Sequence, residues 1–511
     1  MKFKTWQTIR IGFAFLSICA FWQMYNNIVP VILTRTFHLG ETLTGVIMAA
    51  DNVLALFLLP IFGALSDKCK SKMGRRKPFI LFGTIAAVVL MVLIPLIDNS
   101  YYNDPSTGKA VLFIAVLGAL LVAMGTYRSP AVALMPDLTP KPYRSQGNAI
   151  INLMGAIGGI IYLGLAALLY PNAVSDSQKA AEKINDSALT TISEIDKQMV
   201  AIQDGALKAD DALKAAADQA TSGLESSKSI LEAVSEKAQE VIATIEHVDY
   251  TLIFLIVAGI MLLSMVIVMT TINERKLLAE VEEYEAAHPE EDLTVDDGSG
   301  EAVLPPEVKR SLIFLLASVA LWFVSYNAVE TWFTVFAEET WGKGIGGAST
   351  CLLVANAGAI ISYIPVGIIA GKIGRKKSIL IGIIMMAACY IFGLVYTSAH
   401  GEFSSLLYVI FAIIGMGWAA INVNSLPMVL EMCKGSDVGK FTGYYYTFSM
   451  AAQIVTPILC GYLLENIGYG IYFIYAAVFM ILAFITMIFV KHGDSKNIKV
   501  KKGLEAFEDM D

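Results

Sequence analysis

The chain has 511 residues, 56% of them hydrophobic and only 16% charged, with apolar runs of about 20 residues, enough to cross a ~30 Å hydrocarbon core as helix. It therefore reads as an all-α polytopic membrane protein; the runs do not alternate as outer-membrane strands do, which excludes a β-barrel. The net charge of -8 does not point to a nucleic-acid partner, because the basic residues border the spans and most acids fall in two polar segments.

Six spans are expected near Ile9 to Leu33, Leu43 to Leu65, Phe79 to Ile97, Val111 to Met135, Asn148 to Tyr170 and Tyr250 to Thr271. Six more follow near Leu312 to Phe336, Ser349 to Ala370, Ile379 to Thr397, Ser405 to Leu430, Phe441 to Leu464 and Gly470 to Val490. The expected divisions are 1–170 with spans one to five, an insertion over 171–248, span six over 249–272, a linker over 273–310, spans seven to twelve over 311–490, and a tail over 491–511. Met1 to Arg10 is short and basic and the following apolar run has the length of a span, so the first span reads as a retained start-transfer helix.

Short loops set the expected orientation. Lys68, Lys70, Lys72, Arg75, Arg76, Lys77, Lys141, Arg144, Arg275, Lys276, Lys372, Arg375, Lys376, Lys377, Lys434 and Lys440 fall on one side together with both termini, while the opposite short loops carry little beyond Arg35, Lys109 and Lys343. By the positive-inside rule that side, with both termini, is cytoplasmic, in an inner or plasma membrane.

The insertion is rich in Ala, Ser, Asp, Glu and Lys, and its apolar residues step by three and four: Ile192, Ile195, Met199, Ile202, then Leu231, Val234, Ala238, Val241, Ile245. With a break near Thr221-Ser222-Gly223, it is expected to fold as an extracytoplasmic antiparallel helical hairpin. It reads either as a docking arm for an unknown partner or a glycan, Asn185-Asp186-Ser187 matching an acceptor triplet, or as a tolerated loop insertion. In the linker, Leu277 to Ala287 is compatible with an extension of the sixth helix, and the acidic, Gly/Pro-punctuated Pro289 to Pro306 with a flexible tether.

The chain is built twice over. Gly63-Ala64-Leu65-Ser66-Asp67, Lys68 to Met73 and Gly74-Arg75-Arg76-Lys77-Pro78 return in weaker form as Gly367 to Ile373 followed by Gly374-Arg375-Lys376-Lys377. Tyr25-Asn26-Asn27 matches Tyr326-Asn327, with Glu330 close by; Asp51 and Pro60 match Asn356 and Pro365; Pro136-Asp137 matches Leu430-Glu431. An even number of spans separates the copies, so the halves are parallel, an architecture that forms a solute site near the midplane and alternates access by rocking.

The loop from Asp67 through Gly74-Arg75-Arg76-Lys77-Pro78-Phe79-Ile80 resembles the signature of the major facilitator superfamily in its sucrose and glycoside branch. Tyr127-Arg128-Ser129-Pro130, Met135-Pro136-Asp137-Leu138, Asn424-Ser425-Leu426-Pro427 and Gly439-Lys440-Phe441-Thr442-Gly443 are similar to bacterial sugar:cation symporters. The resemblance implies a major facilitator fold, symport of a small solute, most simply a sugar, with H+ or Na+ as coupling ion, and a cytoplasmic gate. The gate residues would be Gly63, Asp67, Gly74, Arg75, Arg76, Asp137, Arg144, Arg375 and Glu431; read alone, the basic loop residues also serve as topology determinants. An exporter of drugs or another solute on the same fold, and a non-transporting sensor or adhesion protein using the hairpin, are the alternatives.

Three ionisable residues fall inside spans: Asp51, Arg128 and Glu330. Each costs roughly 2.5 to 3.5 kcal/mol at a span centre and is expected to face a cavity. One carboxylate is expected to bind and release a proton, burial favouring its neutral form and Arg128 its charged form; a permanent Asp51–Arg128 salt bridge is the structural alternative. Substrate contacts are expected among Gln23, Tyr25, Asn26, Asn27, Asn52, Asn152, Tyr326, Asn327, Trp332, Asn356, Asn422, Asn424 and Gln453, since amides both donate and accept, as sugar hydroxyls require, although amides also join membrane helices. No phosphate-cradling loop occurs, the five His are scattered, and the six Cys lie in spans or on the reduced side without a paired His, so neither an enzyme nor a metal site is expected.

Overall fold

A computed structural model describes residues 4–140, 143–171, 176–206, 211–243, 247–287, 305–400, 403–432 and 438–494. Among the described residues the fold is entirely helical and twelve helices are long and apolar enough to span a membrane. Lys141, Cys433, Lys434, the side chains of Arg144 and Lys440, and most of the acidic linker lie outside the described residues.

The first half comprises α1 (Thr5–Val31), α2 (Glu41–Asp67), α3 (Lys77–Asn103), α4 (Thr107–Asp137), α5 (Arg144–Leu169) and, after the insertion, α8 (Thr251–Thr271). The second comprises α10 (Pro306–Trp341), α11 (Ile345–Ile373), α12 (Arg375–His400), α13 (Leu406–Leu430), α14 (Val438–Ile467) and α15 (Ile471–Ile488). Pro30 lacks the amide that would close an ordinary helical turn; directly beyond it α1 widens into a π turn over Ile32–Thr36, so the first span runs further than its apolar core.

Each half packs internally, α1 on α5, α3 on α4 and α8, and α2 on α4 in the first, α11 and α12 on α13, and α10 on α14 and α15 in the second. The halves meet through α2 against α14 and α5 against α11, two pairs that exchange under the internal repeat, with α1 against α10 between them. Glycines permit the closest of these approaches: a Cβ on Gly45 of α2 would strike the Pro457 carbonyl of α14, and one on Gly346 of α11 would strike the carbonyl of Tyr170.

The linker does not extend the sixth span. The chain turns extended at Ile272 and a separate helix, α9 (Glu274–Ala287), begins. The physical reason is a pair of caps. Lys77 Nζ donates to the Met269 and Ile272 carbonyls at the end of α8, both at 2.8 Å, while Glu274 turns away to serve α3.

The insertion, Ala173–Val248, is a compact unit of its own, made of α6 (Asp176–Ala206) and α7 (Asp211–Ala243). Lys228 Nζ meets Asp196 at 2.6 Å and Ser235 Oγ donates to Asn185 Oδ1 at 2.7 Å, partners that converge in sequence as antiparallel helices require. Residues 207–210, between the two helices, lie outside the described residues, and Thr221-Ser222-Gly223, expected as the break, lies within α7. One exposed Gly costs a helix only about 1 kcal/mol, too little to end one this long. Ile195 and Ala238 of the expected stripe are buried, but Val234 is exposed and its neighbour Ser235 buried; the side chains of Val241 and Ile245 are not described. Asn185 is engaged across the hairpin rather than free on its surface.

Candidate functional site

Between the halves near mid-span lies a cavity of about 80 Å3, lined from the first half by Gln23 and Ala156 and from the second by Tyr326, Glu330, Asn356, Tyr363 and Trp418 among others. Tyr326 and Trp418 stack face to face, centroids 3.8 Å apart and 4° from parallel, forming one flat aromatic wall. Glu330 accepts from the Asn26 side chain across the interface between α10 and α1. Asp51, on α2, accepts from the Asn52 amide nitrogens, backbone at 2.6 Å and side chain at 2.7 Å, and lies within electrostatic range of both Arg128 and Glu330. Arg128 sits over the Trp22 ring, 5.5 Å from its centroid. The three ionisable groups from three helices thus converge on one region, with Arg128 held by an aromatic face as well as by charge.

The expected amides divide. Gln23 and Asn356 line the cavity, Asn26 reaches Glu330, and Asn422, exposed, hydrogen-bonds the cavity residue Tyr363. Asn152 is exposed on α5, and Gln453 bonds the Ser449 carbonyl of its own helix at 3.3 Å. Asn327 is buried, its Nδ2 without a hydrogen-bond partner among the described residues. Others are taken up by helix packing: Tyr25 stacks on Phe21, Trp332 Nε1 donates to the Pro457 carbonyl, Asn424 donates to Ser378 and the Ala420 carbonyl, and Asn27 joins helices of both halves. Tyr363 and Trp418 were not singled out from the sequence, because an aromatic in an apolar run carries no mark of the face it occupies.

At the end carrying the basic loops, Arg76 is a hub. Its guanidinium pairs with Asp67 and with Asp137 at 2.8 Å, reaches the Gly63 carbonyl at 3.2 Å and bonds Ser66 Oγ, while Arg75 adds a second contact to Asp137 at 2.9 Å. In the second half Arg375 pairs with Glu431 in the corresponding place. These expected gate residues thus come together within each half; the Arg144 side chain is outside the described residues.

An equivalent pair of acids went unnoticed in the sequence. Glu274 accepts from the backbone N–H groups of Arg75, Arg76 and Lys77 at 2.7, 2.9 and 3.0 Å, capping the start of α3, and Asp494 accepts from Arg375 N at 2.7 Å. Gly74 (φ 116°) and Gly374 (φ 97°) make the positive-φ turns beside them, and a Cβ at either would meet the carboxylate. Lys376 Nζ takes the Ile488 and Val490 carbonyls as Lys77 takes those of α8. The signal was present: an acid shortly after spans six and twelve, equivalent in the repeat.

The opposite end is joined across the halves. Arg35 meets Glu339 at 2.7 Å and Glu338 at 3.6 Å, Tyr469 OH donates to Glu41 Oε1 at 2.6 Å, and Glu465 accepts from Thr42 N at 2.8 Å.

Comparison with known proteins bears on this architecture. A family model described as Major Facilitator Superfamily matches residues 11–175 and 344–508. Among curated relatives, the sucrose transport protein SUC3 of Arabidopsis thaliana is 31% identical over 139 residues, 25% of this chain and 23% of that protein. SUT3 of Oryza sativa subsp. indica is 32% identical over 139 residues, 25% of this chain and 28% of that protein. The matched stretch thus spans about a quarter of those relatives' length. Among solved structures, a D-xylose-proton symporter superposes with a TM-score of 0.56 at 15% identity, covering 96% of this chain and 98% of that one. The nucleoside transporter NupG does so with 0.57 at 13%, covering 96% and 100%. At these identities the structures show a shared fold.

Proposed function

The chain belongs to the Major Facilitator Superfamily and is a multi-pass membrane protein, and from that premise we propose that it carries a sugar or glycoside in symport with a proton by alternating access. The observation that carries the reading is that two carboxylates from opposite halves lie close together in the spans, Glu330 lining the cavity and Asp51 within electrostatic range of it. A proton on either removes a buried charge, and with it the Asn26–Glu330 contact changes from charge-assisted to neutral, so protonation and the relation between the halves are linked. The stacked Tyr326–Trp418 wall offers an apolar face to the C–H side of a pyranose, and Gln23 and Asn356 offer paired donors and acceptors to its hydroxyls. The sucrose transport relatives support that substrate class.

In this reading the basic loops and both termini face the cytoplasm of a cell or inner membrane, the segment between spans five and six is extracytoplasmic, and the joined far end makes the conformation inward-facing. Arg76 with Asp67, Asp137 and Arg75, and Arg375 with Glu431, brace the cytoplasmic ends of the halves.

The test is uptake by purified protein in liposomes under an inward proton gradient, with internal pH followed while single mono- and disaccharides are added. Acidification with one sugar is expected, lost in Asp51→Asn or Glu330→Gln while sugar counterflow, which needs no net proton movement, survives. Sugar uptake that follows a Na+ gradient without acidification, or no acidification with any sugar in folded protein, overturns the proposal.

A further inference from the structure

The Asn27 side chain is the meeting point of four helices. Its Nδ2 donates to Thr334 Oγ1 of α10 at 2.8 Å, and its Oδ1 accepts from Tyr162 OH of α5 at 2.8 Å and from Ser349 Oγ of α11 at 3.1 Å. All four residues are at most 1% exposed. Two of these helices belong to the first half and two to the second, so the cluster is a polar bolt through the interface, shut away from water. Two turns further along α1 and about a turn further along α10 stand Arg35 and the Glu338–Glu339 pair, on the same two helices.

We propose that the Asn27 cluster is an inter-half latch that holds the far end closed and parts in each transport cycle, and that Asn27 acts on this equilibrium rather than on the solute. The proposal rests on the alternating-access reading above and names the element that sets its resting state. The argument is one of placement. Hydrogen bonds that stay within a half survive a rocking motion, whereas Asn27–Thr334 and Asn27–Ser349 cannot, since each partner rides on a different half. Separation leaves buried amide and hydroxyl groups to be met by entering water or to go unpaired, which makes the closed and open arrangements distinct states rather than a continuum. Asn27 is also four residues, one turn, from Gln23 of the cavity and one residue from Asn26 on Glu330, so a change in the cavity is transmitted to the latch through about one helical turn.

Weakening the latch therefore favours the state that is open at the far end and closed at the basic end. Thr334→Val keeps shape and removes the acceptor; Ser349→Ala removes the other cross-half partner; Thr334→Ser keeps the hydroxyl. Each full-length variant is followed by hydrogen exchange with mass spectrometry in nanodiscs with no solute present. Thr334→Val and Ser349→Ala are each expected to shift the equilibrium by roughly tenfold, seen as faster exchange around residues 31–45 and 334–346 together with slower exchange around 57–67 and 361–371. Thr334→Ser is expected to restore the original pattern. Faster exchange at the far end without protection at the basic end would mean that the cluster is only packing, and unchanged exchange in Thr334→Val and Ser349→Ala would mean that it bears no load; either overturns the proposal. Because no sugar enters the measurement, failure of the sugar panel and failure of the latch are separate results. In liposomes, the latch requires Thr334→Val to lower the KM for solute presented at the far face, whereas a substrate-contact role for Asn27 requires Asn27→Ala to raise KM and Thr334→Val to leave it unchanged.

Discussion

Glu274 and Asp494 occupy equivalent places in the two halves but do unequal amounts of work, and that inequality can be measured. Glu274 is 2% exposed and its carboxylate receives three backbone N–H groups at the start of α3, where the helix dipole also favours a negative charge. A charge-assisted bond contributes about 1.5 to 3 kcal/mol and a helix cap about 0.5 to 2 kcal/mol, and bonds to one carboxylate are not additive, so Glu274→Ala is expected to cost about 3 to 4 kcal/mol. Glu274→Gln retains one acceptor oxygen but loses the charge and turns an NH2 toward the amides, for about 1 to 2 kcal/mol. Asp494 receives a single N–H, from Arg375, and is only half-buried, so Asp494→Ala is expected to cost about 1 kcal/mol. With roughly 2 °C or less per kcal/mol for a chain of this size, thermal unfolding of purified protein followed by tryptophan fluorescence should fall by about 5 °C, 2 °C and 1 °C respectively. An Asp494→Ala loss equal to that of Glu274→Ala, or a Glu274→Ala variant that melts with the parent, would refute the reasoning that counts accepted N–H groups.

Arg76→Lys is expected to impair initial uptake severely while Arg75→Lys is milder, since only the Arg76 fork reaches Asp67, Asp137, Ser66 and Gly63 together and a lysine cannot span them. Radiolabelled solute influx normalised to folded protein measures this. At the Lys4–Glu280 pair, 2.8 Å, the hydrogen bond from Lys4 holds the Glu280 carboxyl below its ordinary 4.5. A depressed acid contributes stability that is complete above about pH 4.5 and lost as the pH falls through the lower folded value. Both partners are solvent-facing, so the loss on acidification is expected to stay under about 1 kcal/mol. Hydrogen exchange of α9 in the parent should quicken below pH 4 and match that of Lys4→Ala, after correction for the intrinsic pH dependence of exchange.

Much of the architecture is legible in the sequence. Apolar run length counted the spans, the return of Gly63–Pro78 as Gly367–Lys377 revealed the two halves, and the insertion cost of a charge singled out Asp51, Arg128 and Glu330, which do converge. The hairpin was readable from its stripe, but its turn was not, because one glycine outweighs nothing in a helix of 33 residues.

The sidedness of individual residues was another matter. Asn26 and Asn27 are neighbours of one type, yet one bonds a cavity carboxylate and the other bolts four helices together. Glu274 reads in the sequence as part of the linker, yet its carboxylate caps a helix that begins 197 residues earlier. In a soluble protein a polar outer face would have marked which side of each helix turns inward, but lipid is as apolar as a core, so these spans are apolar all round and their rotation leaves little trace in the sequence. The sequence by itself determined how many helices cross, that they form two related halves, and which charges must be sheltered, since length and the cost of charge in lipid are local properties. The tertiary structure alone decided which amides face the cavity, which residues join the halves, and which end is closed, because those depend on helix rotation and pairing.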